Sequence, residues 1–316
     1  IIQIMKNSLK IISVVGQTAT GKTDKSFLLA ELWCKKDKKN KAIIVSADSK
    51  QVYKDLKILS GADIPNDFIK KDNHYLHPTL PISLYGISNI DGKEEWSVGH
   101  FYRLVKELIK NHKHEKTLFI MVGGTGLYHQ QAYKPSETLN VKPDFELRKS
   151  LEDKTVEELQ NILIEKNKDR LLSMNNSDKN NPRRLIRAIE VGIMKTNNQD
   201  NISPIIQVGL TTENVDEKIR QRVIKRLEQG VIEEVKEFEK KYPNNKLQSK
   251  ATLGYQEIIK FINQKISKEE LIDLWTLSES QYARRQNTWW KKINNIEWFE
   301  ASKISIENIL NRVFLA

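Results

Sequence analysis

The chain has 316 residues, 39% of them hydrophobic, with 52 Lys and Arg against 41 Asp and Glu, a formal net charge of +11 and an isoelectric point near 9.4. This length supports a sizeable core and about two domains and excludes a chain disordered throughout, while the lone Cys34 excludes an intramolecular disulfide and any cysteine-based zinc site. The positive surplus points to a polyanionic partner, or else to an AT-rich genome that writes lysine wherever a surface allows it.

A reducing cytoplasm is the compartment expected from one cysteine. Residues 1–10 lack a secretory leader and no window approaches a membrane span, so a soluble, unprocessed protein is expected. His112 and His114 sit among Lys110, Lys113 and Lys116, which reads as a solvated helix end rather than a metal site.

In chain order, Ile11, Ile12, Ser13, Val14 and Val15 form a short apolar run that predicts a buried parallel strand. Gly16, Gln17, Thr18, Ala19, Thr20, Gly21, Lys22 and Thr23 follow in the G-x-x-x-x-G-K-[ST] pattern of a P-loop. Phe27, Leu28, Leu29, Ala30 and Leu32 then recur at helical spacing, and Cys34 is expected to pack at the end of that helix. Strand, glycine loop and helix come in the order phosphate binding needs: backbone N–H groups turn inward, the helix N-terminus adds its positive dipole end, Lys22 supplies a point charge and Thr23 can hold Mg²⁺. A chance glycine turn would not explain why motif and flanks agree. On its own the loop suggests ATP.

A second apolar run, residues 42–46, leads into Ala47, Asp48, Ser49, Lys50, Gln51, Val52 and Tyr53. A carboxylate and an amide thus stand beyond the C-terminal end of a strand, the edge where open α/β sheets bind ligands. The plainer reading is that Asp48 caps the following turn. Residues 61–92, broken by Pro65, Pro78 and Pro81, read as surface loop. A helix over residues 101–110 and a strand over residues 117–122 follow, and the strand runs into Gly123, Gly124, Thr125, Gly126, Leu127 and Tyr128. These glycines allow close backbone approach to a ligand or simply make a tight turn.

From Pro135 the texture turns polar and helical. Arg183, Arg184 and Arg187 can share one helix face, which suits phosphate contacts or a solvated surface equally. Residues 205–210 form the last clear strand, and residues 216–242 a long amphipathic helix interrupted at Gly230. A short helix follows Gly254, Tyr255, Gln256 and Glu257, and residues 268–292 form another, carrying Gln281, Tyr282, Ala283, Arg284, Arg285, Gln286, Asn287, Thr288 and Trp289. Interleaved bases and aromatics suit an RNA surface, or a helix with one packed and one solvated face. The fold expected is α/β: a P-loop NTPase-like parallel sheet flanked by helices, formed by residues 1–136 and 204–316, with an inserted all-helical domain over residues 137–203.

Taken together, these motifs resemble the tRNA dimethylallyltransferase family over nearly the whole chain. The resemblance rests on the P-loop, with Gln17 where the family has proline; on D-S-x-Q-x-Y at Asp48, Ser49, Gln51 and Tyr53; and on G-G-T-G-L-Y from Gly123. It continues through R-x-x-R-A-x-E at Arg184, Arg187, Ala188 and Glu190, G-Y-x-E at Gly254, Tyr255 and Glu257, and Q-Y-A-[KR]-R-Q-x-T-W from Gln281. It implies transfer of a dimethylallyl group from dimethylallyl diphosphate to the exocyclic amine of the adenosine 3′-adjacent to a tRNA anticodon, with Mg²⁺ on Thr23 as cofactor. It implies Asp48 as general base, Thr18 between diphosphate and base, and the loop with Lys218 and Arg222 holding the diphosphate. Asp48, Ser49, Lys50, Gln51, Thr125, Arg183, Arg184, Arg187, Gly254, Tyr255, Gln256, Arg284 and Arg285 match stretches that meet the tRNA anticodon stem-loop, and a monomer is expected. Lys218 stands where the family has arginine and loses the bidentate fork, with Arg220 nearby to compensate.

Three other functions fit parts of the pattern. A P-loop small-molecule kinase would use Asp48 as base, but the strand over residues 117–122 ends in glycines with no carboxylate for Mg²⁺. A prenyltransferase acting on free adenylate would not need the basic insertion and C-terminal helix. An RNA-binding ATPase module would not need Asp48.

Overall fold

The computed structural model describes residues 9–113, 116–139, 141–192, 205–243 and 246–315. The chain divides into two compact units, Ile1–Lys134 with Ile202–Ala316, and Pro135–Asn201. His114 lies outside the described residues.

The first unit opens with β1 (Lys10–Gly16), α1 (Lys22–Lys36) and β2 (Lys41–Ser46). A one-turn α2 (Lys57–Ser60) follows, then β3 (Ile69–Lys71), β4 (His74–Leu76), β5 (Ile82–Tyr85), α3 (Val98–His112), β6 (Thr117–Val122) and α4 (Gly126–Tyr133). The inserted unit holds α5 (Phe145–Leu151), α6 (Val156–Ser173), α7 (Asn176–Lys179) and α8 (Pro182–Val191). The chain returns with β7 (Ile205–Thr211), α9 (Val215–Glu228) and α10 (Val231–Lys241), then a 3-10 turn (Gln248–Ala251). It ends with α11 (Tyr255–Ile262), α12 (Lys268–Trp290), β8 (Glu297–Glu300) and α13 (Ile306–Leu315).

The sheet runs β3-β4-β5-β2-β6-β1-β7-β8, antiparallel across β3, β4 and β5 and parallel from β5 onward. Its central strands are buried on both faces because helices cover both. The period of two divides them cleanly: Ile11, Ile43, Val45, Phe119 and Met121 face a core shared with Phe101, Phe238, Tyr255 and Trp275. Ile12, Val14, Ile44 and Ile120 face the other side, against Leu29, Trp33, Ile306 and Leu310. Cys34 is buried there and hydrocarbon burial pushes its thiol up to about 12, so it is an inert core residue.

The parallel strands and the break at Gly230 follow the sequence reading. Residues 61–92 do not: they contain three short strands, one of which, β5, pairs with β2 inside the sheet. The edge strand β8 and the closing helix α13 also went unforeseen.

In the inserted unit, Leu151, Leu159, Leu163, Leu185 and Ile189 form a small core of their own. A capping box between Thr155 and Glu158 starts α6, and Asn181 caps α8 with Pro182 at its first position.

Candidate active site

β1 is placed between β6 and β7, so the loop after it emerges at the middle of the sheet's C-terminal edge. Gly16 is forced there by contact: its φ is 138°, and a Cβ would run into the Leu210 carbonyl of β7. Ala19 also holds a left-handed φ of 61°, a conformation that costs a non-glycine residue of order 1 kcal/mol and is tolerated where function shapes the backbone.

The loop borders a cavity of about 730 Å³ that is lined entirely by the first unit. Seven cationic side chains and four carboxylates line it, so it is built for an anion. Residues 18–23, Asp48, Ser49, Lys50 and Gln51 share its wall with Lys218, Arg222, Lys225 and Arg226 of α9, residues 251–253, and Tyr282, Arg285 and Gln286 of α12. Apolar side chains, among them Phe27, Ile44, Leu59, Leu84 and Ile87, make the rest. A cavity with a charged end and an apolar wall can take an ester joining phosphate to hydrocarbon.

At the charged end, Lys22 is buried and donates to the Gln17 carbonyl and, at 3.4 Å, to Thr20 Oγ1. Burial first, then the Arg222 charge, drives its ammonium down to about 7, with Asp48 opposing. Arg222 donates to Thr18 Oγ1 at 3.0 Å and to the Gly61 carbonyl at 3.3 Å, and pairs with Asp63 at 3.1 Å. Lys218 reaches Thr212 Oγ1 and lines the same wall. Arg220 does not compensate for it: its guanidinium is held by Glu269 and Asp273 of α12.

The sequence shows Arg226 only as one of several basic residues on this helix and gives it no site role, although it lies one helical turn beyond Arg222 on the same face. It is almost fully buried, paired with Glu279 at 2.5 Å and stacked over Trp275 at 5.7 Å. Gln286 was quoted within a motif but given no role. Its Oε1 accepts from Thr18 N at 2.8 Å, while Gln17 Nε2 donates to the Ala283 carbonyl at 3.1 Å.

Asp48 does cap its own turn, accepting from Lys50 N at 2.7 Å and Gln51 N at 3.3 Å through one oxygen, and it also lines the cavity. The capping reading is thus observed, and the cap does not take the carboxylate away from the cavity wall. Thr125 starts α4 beside Tyr282, whose hydroxyl is pushed up by burial and by Asp48 and drawn back by Thr125 and Gln286.

Several residues matched to tRNA contacts are committed elsewhere. Tyr255 is fully buried with its hydroxyl on Glu239 at 2.6 Å, and Gly254 packs against the Trp275 ring, so this pair builds the core. The neighbouring residues 251–253 reach the cavity instead. The Gln51 amide is used by Ser46 and Gly61, at 2.7 and 2.9 Å, and Lys50 Nζ is anchored on the Gln248 carbonyl at 2.7 Å. In the inserted unit Arg187 is spent on Glu190 and on the carbonyls of Thr138 and Val141, and Arg184 pairs with Asp178. Arg183, Gln256, Arg284 and Arg285 are exposed. Nor is the insertion basic: residues 135–201 contain twelve Lys and Arg and twelve Asp and Glu, so the whole surplus of positive charge belongs to the first unit.

Among the described residues no cluster of three His, Cys, Asp or Glu side chains could hold a metal. Thr23 offers one hard oxygen beside the anion end, which fits Mg²⁺, an ion that takes few protein ligands and completes its shell with phosphate oxygens and water. No helix among the described residues is long and apolar enough to cross a membrane.

A family model described as IPP transferase matches residues 51–293. A tRNA dimethylallyltransferase of Alkaliphilus oremlandii is 34% identical over 316 residues, covering 95% of this chain and 94% of that protein. One from Fusobacterium nucleatum is 32% identical, covering 96% of each. Among solved structures, the tRNA isopentenylpyrophosphate transferase of Bacillus halodurans superposes with a TM-score of 0.67 at 27% identity, covering 98% of this chain and 96% of that one. A eukaryotic dimethylallyltransferase acting on tRNA shares the fold, with a TM-score of 0.72 at 22% identity over 93% of this chain and 74% of that one. The chain belongs to the tRNA dimethylallyltransferase, or IPP transferase, family.

Proposed function

We propose that this protein transfers the dimethylallyl group of dimethylallyl diphosphate to the N6 amine of the adenosine on the 3′ side of the anticodon in tRNA. The observation that carries this reading is one cavity in which the P-loop and Asp48 face a common space with an apolar wall. The amine nitrogen attacks the first carbon of the prenyl group, the carbon–oxygen bond breaks, its electron pair leaves with the diphosphate, and the amine proton passes to Asp48.

Negative charge grows on the departing diphosphate, where Lys22, Arg222 and the loop's N–H groups stabilise it. Thr23 would hold Mg²⁺ there, and such an ion would supply further neutralisation of that charge. Lys22, its ammonium lowered to about 7 by burial, is drawn to its charged form when the diphosphate arrives. The adenine amine is a weak nucleophile, so positioning by Thr18 and Asp48 matters as much as basicity. Drawing the base from its stack requires a pocket that accepts it flipped, and Asp48, Ser49, Gly123, Gly124 and residues 251–253 are its walls. Exposed Arg284 and Arg285 of the first unit meet the anticodon stem-loop by charge, and the exposed Gln256 amide can add a hydrogen bond. In this reading the protein works as a monomer on tRNA in the cytoplasm.

Purified protein given Mg²⁺, dimethylallyl diphosphate and unmodified tRNA should form prenylated adenosine, with little product from AMP. Nucleotide hydrolysis without prenylation would sink the proposal, and equal use of AMP would restrict it to free adenylate.

A further inference from the structure

We propose that Gln286 of α12 is a positioning residue that keeps the diphosphate cradle and the acceptor pocket in register, an inference that rests on the prenyl-transfer reading above. Its side chain is almost fully buried at the cavity wall and carries no charge to offer a diphosphate. The single amide group meets two segments far from it in sequence, and a neighbour on its own helix. Its oxygen accepts from Thr18 N in the P-loop at 2.8 Å. Its nitrogen occupies the space a Cβ on Gly124 would need, so the glycine turn after β6 closes on it. One helical turn back, the Tyr282 hydroxyl lies near both Gln286 and Thr125.

In the prenyl-transfer reading Thr18 stands between diphosphate and base, while Tyr282 lines the cavity with Asp48 and touches Thr125 behind it. A buried amide has one acceptor and two donor positions, so it joins neighbours that neither a hydroxyl nor a methyl group could join together. A second tie, from Gln17 Nε2 to the Ala283 carbonyl at 3.1 Å, fixes the loop to the same turn of the helix. Lys22, Arg222 and Arg226, which supply affinity for the diphosphate, make no hydrogen bond to Gln286 among the described residues. Removing Gln286 therefore leaves the binding charges in place and loosens the angle between donor carbon and acceptor nitrogen. A displacement of that kind lowers the rate of the bound complex more than it weakens binding.

The test is single-turnover prenylation of an anticodon stem-loop by the full chain with Gln286→Leu, at saturating dimethylallyl diphosphate, beside a steady-state KM for the donor. The single-turnover constant does not depend on what fraction of the protein is folded. Expected is a fall of roughly 100-fold in that constant with the donor KM changed by less than about threefold. A constant within about threefold of the unaltered protein, or a KM that rises as far as the rate falls, overturns the proposal. Should Gln286→Leu not fold, Gln286→Asn decides by the same two measurements, because its amide is too short to reach Thr18 N. If the unaltered protein makes no prenylated adenosine, it is the functional reading that fails, and the two failures are distinct.

Discussion

Replacing Asp48 with asparagine separates the two roles this carboxylate holds. One oxygen accepts from Lys50 N at 2.7 Å and Gln51 N at 3.3 Å, shaping the turn that lines the cavity. Asparagine keeps an oxygen at that position, so the turn survives with weaker bonds, a loss of about 1 kcal/mol or roughly 2–4 °C in melting temperature for a protein of this size. What asparagine cannot do is accept the amine proton. A missing general base costs about 10²- to 10⁴-fold, or roughly 3–5 kcal/mol in the barrier. The chemical penalty thus exceeds the structural one several times over. Single-turnover prenylation with enzyme in excess, beside filter binding of the stem-loop, measures both. Asp48→Asn should fall by at least about 100-fold in rate with tRNA affinity inside about threefold, and Asp48→Ala should add a further loss of stability. An asparagine variant within about threefold of the original rate, or one whose affinity falls with its rate, would refute the assignment of Asp48 as base.

Three further outcomes follow from charges described above. With the Lys22 ammonium lowered to about 7 in the empty cradle, diphosphate binding at pH 8 should take up close to one proton, seen by calorimetry in two buffers of different ionisation heat and lost in Lys22→Met. Because that folded value lies below the unfolded value of 10.5, Lys22 lets stability rise between about pH 7 and 10.5 and contributes no gain below. Glu279→Ala leaves the buried Arg226 guanidinium without its partner and should cost about 3–5 kcal/mol, a drop of roughly 6–20 °C in a thermal melt; less than about 2 °C would show that the charge escapes to the cavity. In the inserted unit, burial raises Glu190, but Arg148, Arg187 and the Asp144 amide outweigh it and hold the carboxyl below its ordinary 4.5. Its stabilising contribution is complete above pH 4.5 and is lost as pH falls through the lower folded value. Hydrogen exchange of α8 should accelerate in Glu190→Gln at pH 7, and unchanged protection would contradict the role given to this network.

The parallel strands were legible because hydrophobic runs such as residues 117–122 need no partner to be recognised. β5 was not: Ile82, Ser83, Leu84 and Tyr85 are only four residues after two prolines, and they become a strand by pairing with β2. β3 is exposed throughout and has no hydrophobic signature at all. The P-loop and Asp48 declared themselves through spacing and topology. Arg226 and Gln286 did not, since their importance comes from which distant segments they touch. The basic aromatic stretch of α12 has one packed and one solvated face, with Ala283, Gln286 and Trp290 inward and Arg284, Arg285 and Trp289 outward. Tyr255 shows the opposite lesson: a motif residue can serve by filling the core.

The position of β1 between β6 and β7 has a consequence for biosynthesis. The P-loop emerges from the ribosome early, but the strand that seals Gly16 on one side, β7, is separated from it by the whole inserted unit. α9 and α12, which bring Arg222 and Gln286, come later still. At about 5–20 residues per second, roughly ten to forty seconds pass between β1 and β7, and through them the sheet has an open edge and a phosphate loop with no cavity to serve. A chain halted before β7 should be a client for chaperones and inert toward nucleotide and prenyl diphosphate alike. The insertion can condense around its own leucines during that interval, and the enzyme becomes competent all at once, when its last long helix arrives.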